Sequence, residues 1–297
     1  MNPEYIRLLL EPVMQYLATG RWKQPYMIHD VGANYPLGIG HDDQAAEAQP
    51  VEECGNVMIL MLAYTQASHN TAFANTYRPI LRTYADYLVT NGLNMPPQLS
   101  TDDNQAPTAN QTNLAIKAAI GLVAYGTLFN DPHYTTIGRS YADSLYNHGL
   151  ATDPAKTHFT ANYPGNTNSY IIAYNLFPDL LLNLGTFPPA AFAMEAAYYP
   201  RVRATTGVPL DSNVAYGKTD WMNFAGAASP GEGNATREMF VDDVHAYISN
   251  GLNQVPLSDE WTVSGAGAGK NLGFRARPVV GGHFAELALE GSSLFAG

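Results

Sequence analysis

The chain is short of cysteine, charge and long apolar runs, and each shortage excludes something. Cys54 is the only cysteine in 297 residues, so no internal disulfide can form. Cysteine usage therefore says little about compartment. Charged residues make up only 14%, and 15 basic against 26 acidic side chains leave a net charge of −11. That excess argues against nucleic acid and anionic membranes as partners, because both would repel the chain. Its simplest role is solubility. No uninterrupted apolar run approaches the roughly 18 residues of a bilayer span, so no membrane segment is expected. Met1 to Pro12 reads as an amphipathic helix with internal charges. It lacks the basic start, apolar run and cleavage site of a secretory leader. Asn110-Gln-Thr112 and Asn234-Ala-Thr236 fit the glycosylation sequon, which is short and frequent by chance.

What is present is enough apolar material for a sizeable core: 46% hydrophobic and 11% aromatic residues. Apolar periodicity and Gly/Pro punctuation predict helices near 3–19, 52–69, 73–91, 110–130, 133–148, 169–184, 189–205, 219–228, 235–250 and 280–294. Convincing alternating strands are absent. The connections alternate between short and long, the long ones falling near 20–51, 92–109, 149–168, 206–218 and 251–279. In an up-and-down helical array this puts every long loop on one face. Long loops without secondary structure are uncommon unless they do something.

Helices after long loops are apolar on nearly all sides, as in Val57–Tyr64, Leu114–Ala124, Tyr170–Phe177 and Phe284–Leu289. Such helices are buried. Helices after short loops are amphipathic: Tyr77, Ile80, Tyr84 and Leu88 form one stripe, and Tyr134, Ile137, Tyr141 and Leu145 another. Alternating inner and outer helices imply an all-α fold, an α/α toroid of helical hairpins, with residues 1–297 as one domain. A repeat agrees. Tyr84-Ala85-Asp86-x-Leu88-x-x-x-Gly92-Leu93 returns as Tyr141-Ala142-Asp143-x-Leu145-x-x-x-Gly149-Leu150, with an echo at Asn250-Gly251-Leu252. Each glycine is expected to stop an outer helix in a left-handed cap.

In this layout inner helices begin at the loop face, where unpaired N–H groups suit a carboxylate or developing oxyanion. The residues there are polar. The first long loop holds His29-Asp30 and His41-Asp42-Asp43, and Glu52-Glu53 open the next helix. Glu52 reads equally as favourable charge in a first helical turn. The histidines and aspartates match no metal-ligand spacing, and no metal or cofactor is expected. The second loop holds Asp102 and Asp103, which are alternatively turn formers, before Asn110-Gln111-Thr112-Asn113. Lys218-Thr219-Asp220-Trp221 follow later, with Asp220 readable as an N-cap. Arg275 and Arg277 precede Gly281-Gly282-His283. Such an arginine could clamp a substrate carboxylate, or pair with a loop aspartate. Carboxylates in one pocket can split into a general acid and a general base, which fits hydrolysis of an amide or a glycoside. Cys54, beside two glutamates, reads as packed and inert.

Several segments together resemble the glutaminase A family of fungi. They are His29-Asp30-Val-Gly32-Ala-Asn-Tyr35-Pro36, Gly40-His41-Asp42-Asp43, Pro50-Val-Glu52-Glu53-Cys54-Gly55-Asn56, Leu99-Ser-Thr101-Asp102-Asp103 and Ala109 to Lys117. Gly207-Val-Pro209-Leu210-Asp211, Lys218-Thr-Asp220-Trp221 and Ala276-Arg277-Pro278 through Phe284 continue the series in order. The resemblance implies a six-hairpin domain related in shape to several glycosidase families. It implies a usually secreted enzyme that hydrolyses L-glutamine to L-glutamate and ammonia, a small-molecule substrate. Family members typically carry an N-terminal β-rich domain, for which no segment is expected within these residues, and about five hairpins are countable here. An incomplete ring would expose an apolar edge that the missing domain or another chain would cover.

By position, Asp103 and Glu53, with Asp102 beside them, are the expected acid/base carboxylates. His29, Asp30, Asn110, Asp220, Trp221, Arg277 and His283 are expected to orient substrate. A glycoside hydrolase on the same scaffold is the alternative, but related six-hairpin glycosidases place an acid where Asn110 stands. A truncated, non-catalytic fragment is the third reading.

Overall fold

A computed structural model describes residues 2–34, 36–100, 105–231 and 234–294. The chain divides into two compact units, Met1–Ala142 and Asp143–Gly297. Among the described residues, unit 1 contains six helices: α1 (Glu4–Ala18), α2 (Pro50–Ser68), α3 (Ala72–Thr76), α4 (Arg78–Asn91), α5 (Thr112–Phe129) and α6 (Pro132–Ala142). Pro50 opens α2, where its missing N–H costs nothing and its fixed φ favours the helix. His69 and Asn130 stop α2 and α5 in left-handed conformations, at φ of 52° and 51°.

At the heart of unit 1, α2 and α5 lie against each other. A Cβ added at Gly121 would come within 3.0 Å of the Gly55 Cα, so the pair of glycines is what lets the two backbones approach. Every residue of α5 from Thr112 to Gly126 is buried. By length and composition α5 could cross a membrane, which differs from the sequence expectation that no segment reaches that length. Its burial among helices, with Lys117 ion-paired inside it, is that of a core helix. The outer stripe is also displaced by one residue. Leu81, not Ile80, joins Tyr77, Tyr84 and Leu88 in the core.

Unit 2 opens with a single π-turn, Asp143–Asn147, and contains α7 (Phe177–Leu181), α8 (Pro189–Val202), α9 (Thr219–Ala227), α10 (Ala235–Ser249) and α11 (Ala285–Leu294). Asn234 caps α10 by accepting the Thr236 N–H at 2.8 Å. Two short strands, β1 (Tyr216–Lys218) and β2 (Glu260–Thr262), form an antiparallel ribbon with Lys218 opposite Glu260. Ile172, Tyr199, Leu210, Met222, Phe240 and Trp261 lie at the centre of its core.

Among the described residues the fold is all-α apart from that ribbon, and three local expectations are corrected. The helix expected over 169–184 is an extended segment, a 3-10 turn at Tyr174–Leu176, and only five residues of α7. Pro178 fits only in a first helical turn, and Ile172 donates its N–H to Leu210 O at 2.8 Å instead. Gly149 and Gly251 adopt the expected left-handed φ, but Gly92 has φ −76°. Gly92 is needed for closeness: a Cβ there would sit 2.7 Å from that of Ala118 on α5. Finally, the segment Phe284–Leu289 is not buried all round, since Phe284 and Leu287 are each 61% exposed while Ala285 is buried.

Glu195 on α8 is buried, with one oxygen accepting the Phe159 N–H at 2.6 Å. Burial pushes its carboxyl up to about 8. A folded-state value raised from 4.5 means that the neutral acid stabilises the fold fully below about pH 4.5. That contribution is lost as pH rises toward 8. Glu195→Gln, neutral throughout, should remove the loss and gain on the wild type by on the order of 4 kcal/mol between pH 4.5 and pH 8. Urea melts at the two pH values read this directly. An unchanged gap between the two proteins would show Glu195 ionised at no cost.

Candidate functional site

In unit 1 the polar residues gather around the first turn of α2. Gly40 folds the preceding loop back on itself. It holds φ 74°, donates its N–H to Val31 O at 2.8 Å, and leaves no room for a Cβ against the Tyr16 ring. This brings His41 Nε2 to 2.6 Å from Asp30 Oδ1, which also accepts the Gly32 N–H. His41 Nδ1 faces Asp43 at 3.6 Å, and Asp42 is held by Arg21 in a two-point pair at 2.7 and 2.9 Å. The imidazole of His29 meets Glu53 Oε1 at 2.8 Å. That hydrogen bond raises the His29 pKa above 6.5, against the opposing effect of burial.

Glu52 and Glu53 are neighbours with different positions. Glu52 is buried and pairs with Lys117 from α5. Lys117 Nζ also donates to Asn56 Oδ1 at 2.7 Å, and Asn56 in turn reaches Glu53 Oε2 at 3.3 Å. Glu53 remains half-buried and reaches solvent. The sequence reading did not use Lys117, yet a lone cation inside an otherwise apolar helix was the visible signal of a buried ion pair. Cys54 is fully buried and its thiol is pushed up by burial, so it stays a thiol.

Asn110 is occupied with structure. It sits at φ 49° and its Oδ1 accepts the Met95 N–H at 3.0 Å. Asp102 and Asp103 lie outside the described residues.

In unit 2 the ribbon builds the second polar centre. Lys218 at the end of β1 is buried, and its Nζ reaches Glu260 Oε1 at 2.8 Å and Asp259 Oδ2 at 3.6 Å. Arg277 pairs with Asp259 through Nε at 3.1 Å and Nη2 at 2.6 Å, the second of the two roles weighed for it above. The Arg277 guanidinium keeps the Asp259 carboxyl below its ordinary value although burial opposes this. The guanidinium lies 4.2 Å over the Phe274 ring, and the Lys218 ammonium 4.3 Å over Trp221, which itself stacks on Tyr174.

Asp220 is not the N-cap of α9. Lys218 holds that position with extended φ and ψ, which puts Asp220 second in the helix. It is 5% exposed, and its Oδ1 finds no hydrogen-bond partner among the described residues. Burial pushes its carboxyl up to about 6, with Lys218 acting the other way. His283 is half-buried, its Nε2 also has no partner among the described residues, and burial lowers its pKa. Asp259 and Glu260 were missed from sequence, because two acidic residues in a 29-residue connection carry no periodic signal. The structure thus groups His29, Asp30 and Glu53 in unit 1, and Asp220, Trp221, Arg277 and His283 around the ribbon and α9 in unit 2.

These arrangements offer carboxylates in contrasting environments beside fixed cations. A family model, described as the glutaminase A six helical-hairpin domain, matches residues 1–287. The chain belongs to that family. It is 33% identical over 299 residues to Glutaminase A of Aspergillus oryzae, an alignment covering 97% of this chain and 42% of that protein. It is 26% identical over 379 residues to a protein of Arthroderma benhamiae named "Probable glutaminase", covering 97% of this chain and 43% of the other. The chain therefore spans less than half the length of these relatives. The six-hairpin description agrees with the helical architecture of both units.

The His29–Glu53 contact has a measurable consequence. The imidazole of His29 should titrate above 6.5 in the wild type and fall back toward 6.5 in Glu53→Gln, followed by histidine proton NMR. An unmoved titration would mean that the pair does not form in solution.

Proposed function

We propose that the chain carries a glutaminase-type hydrolase site, cleaving the side-chain carboxamide of L-glutamine to L-glutamate and ammonia by carboxylate acid/base catalysis. The observation that carries this reading is the half-buried Glu53, hydrogen-bonded at 2.8 Å to His29 at the start of α2. A carboxylate held by an imidazole, with its other oxygen near an amide, is oriented to take a proton from an attacking water. The helix N-terminus behind it favours the negative charge that grows on the carbonyl oxygen. Asp103 is the second carboxylate of the proposal, the acid that protonates the departing nitrogen. Substrate orientation is proposed for Asp30, which lies in the same unit beside His29. The names of the two relatives support the amide substrate, and secretion belongs to the same reading. The glycosidase alternative is weakened by Asn110, which is committed to Met95 and is no acid.

The purified chain should release ammonia from L-glutamine and give no sugar from aryl glycosides. Glu53→Gln should lower kcat roughly a hundredfold or more with KM little changed. Full activity in that variant removes Glu53 from the chemistry. Sugar release without ammonia would replace the amidase reading by the glycosidase one.

A further inference from the structure

An ammonium group can only donate hydrogen bonds, and that fixes the direction of the side chains around Lys117. Its stem crosses Gly55, where an added Cβ would sit 2.5 Å from Lys117 Cγ. The buried ammonium meets the Glu52 carboxylate and, at 2.7 Å, Asn56 Oδ1. Only the oxygen of a carboxamide can face an ammonium, so Asn56 Nδ2 is turned the other way. It donates to Glu53 Oε2 at 3.3 Å and to Glu52 Oε1 at 3.4 Å.

Glu53 is therefore held at both oxygens. Oε1 meets His29 Nδ1 at 2.8 Å, and Oε2 accepts from the Asn56 amide. Asn56 stands three residues after Glu53 on α2, the spacing that puts two side chains on one helix face. The terminal torsion of a glutamate is broad, and donors on both oxygens narrow it.

We propose that Asn56 and Lys117 are positioning residues for Glu53. The buried ammonium sets the direction of the Asn56 carboxamide, and the carboxamide holds the second oxygen of Glu53 so that the first stays on His29. Both act through Glu53. Their part in catalysis rests on Glu53 being the base of the proposed hydrolase, whereas their hold on its geometry does not. Glu52 is the counter-ion that makes a buried lysine tolerable.

Asn56→Asp separates positioning from mere structure. It keeps an oxygen for Lys117 but replaces the donor to Glu53 with an acceptor. A purely structural Asn56 would tolerate that change. The proposal expects Asn56→Asp and Asn56→Leu each to lose roughly tenfold or more in kcat on L-glutamine, with KM within about twofold. Lys117→Met combined with Glu52→Gln strands no buried charge and frees the carboxamide to turn, so it should lose kcat in the same way. Wild-type kcat in the folded Asn56 variants overturns the proposal, and wild-type kcat in the double variant overturns the role of Lys117. Histidine proton NMR reads the geometry without turnover. Asn56→Leu leaves the charges unchanged, yet the His29 titration should fall toward 6.5 as the carboxylate loses its hold. A His29 titration that stays or rises in that variant also overturns the proposal. A wild type that releases no ammonia defeats the hydrolase reading alone, and the His29 titration then decides the positioning.

Discussion

Each unit rests on a lysine buried among carboxylates next to a helix start. In unit 1 Lys117, inside the apolar α5, reaches Glu52 in the first turn of α2. In unit 2 Lys218, immediately before α9, reaches Glu260 and Asp259, and Arg277 closes the set. A charge out of water is tolerable only when it is paired and hydrogen-bonded, and removal of one partner costs far more than the pair is worth. These pairs therefore fix register. Lys117 locks α2 against α5 where Gly55 and Gly121 let the backbones meet, and Lys218 locks β1 opposite β2.

The pairing also explains which side chains remain chemically free. Glu52 and Glu53 are adjacent, yet only Glu52 meets the lysine, while Glu53 faces His29. In unit 2 Asp259 is neutralised by Arg277, whereas Asp220 is buried with one oxygen unpartnered among the described residues. Separated carboxylate environments of this kind are what proton-transfer chemistry requires. Glutaminase A family membership adds a substrate class to consider, while the residues decide the chemistry, since a fold hosts many reactions.

Much of this was legible in the sequence. Periodicity located most helices within a few residues, and the ordered motif series pointed to the family. What failed, failed for physical reasons. Pro178 and the β-type pairing of Ile172 overrode an apolar run that reads equally as a buried helix. Gly92 looked like a left-handed cap but serves close packing against Ala118. Asp220 looked like an N-cap because Asp before an apolar stretch usually is one, yet the cap is Lys218, two residues earlier. The partners of Lys218 came from a long irregular connection, where spacing carries no information about contact. Side-chain pairings across long loops are tertiary facts, and only Lys117 announced its own by being the one charge in α5.

The claim that fixed pairs leave Asp220 as a proton-holding acid is tested most directly by carbon-13 NMR of the aspartate carboxyls. Wild type and Asp220→Asn would be titrated from about pH 4 to about pH 8. The account predicts one aspartate resonance titrating near pH 6 in the wild type and absent from the variant, while Asp259 titrates below the ordinary aspartate range. Wild-type aspartates that all titrate below about pH 5, the one missing from the variant included, would contradict it.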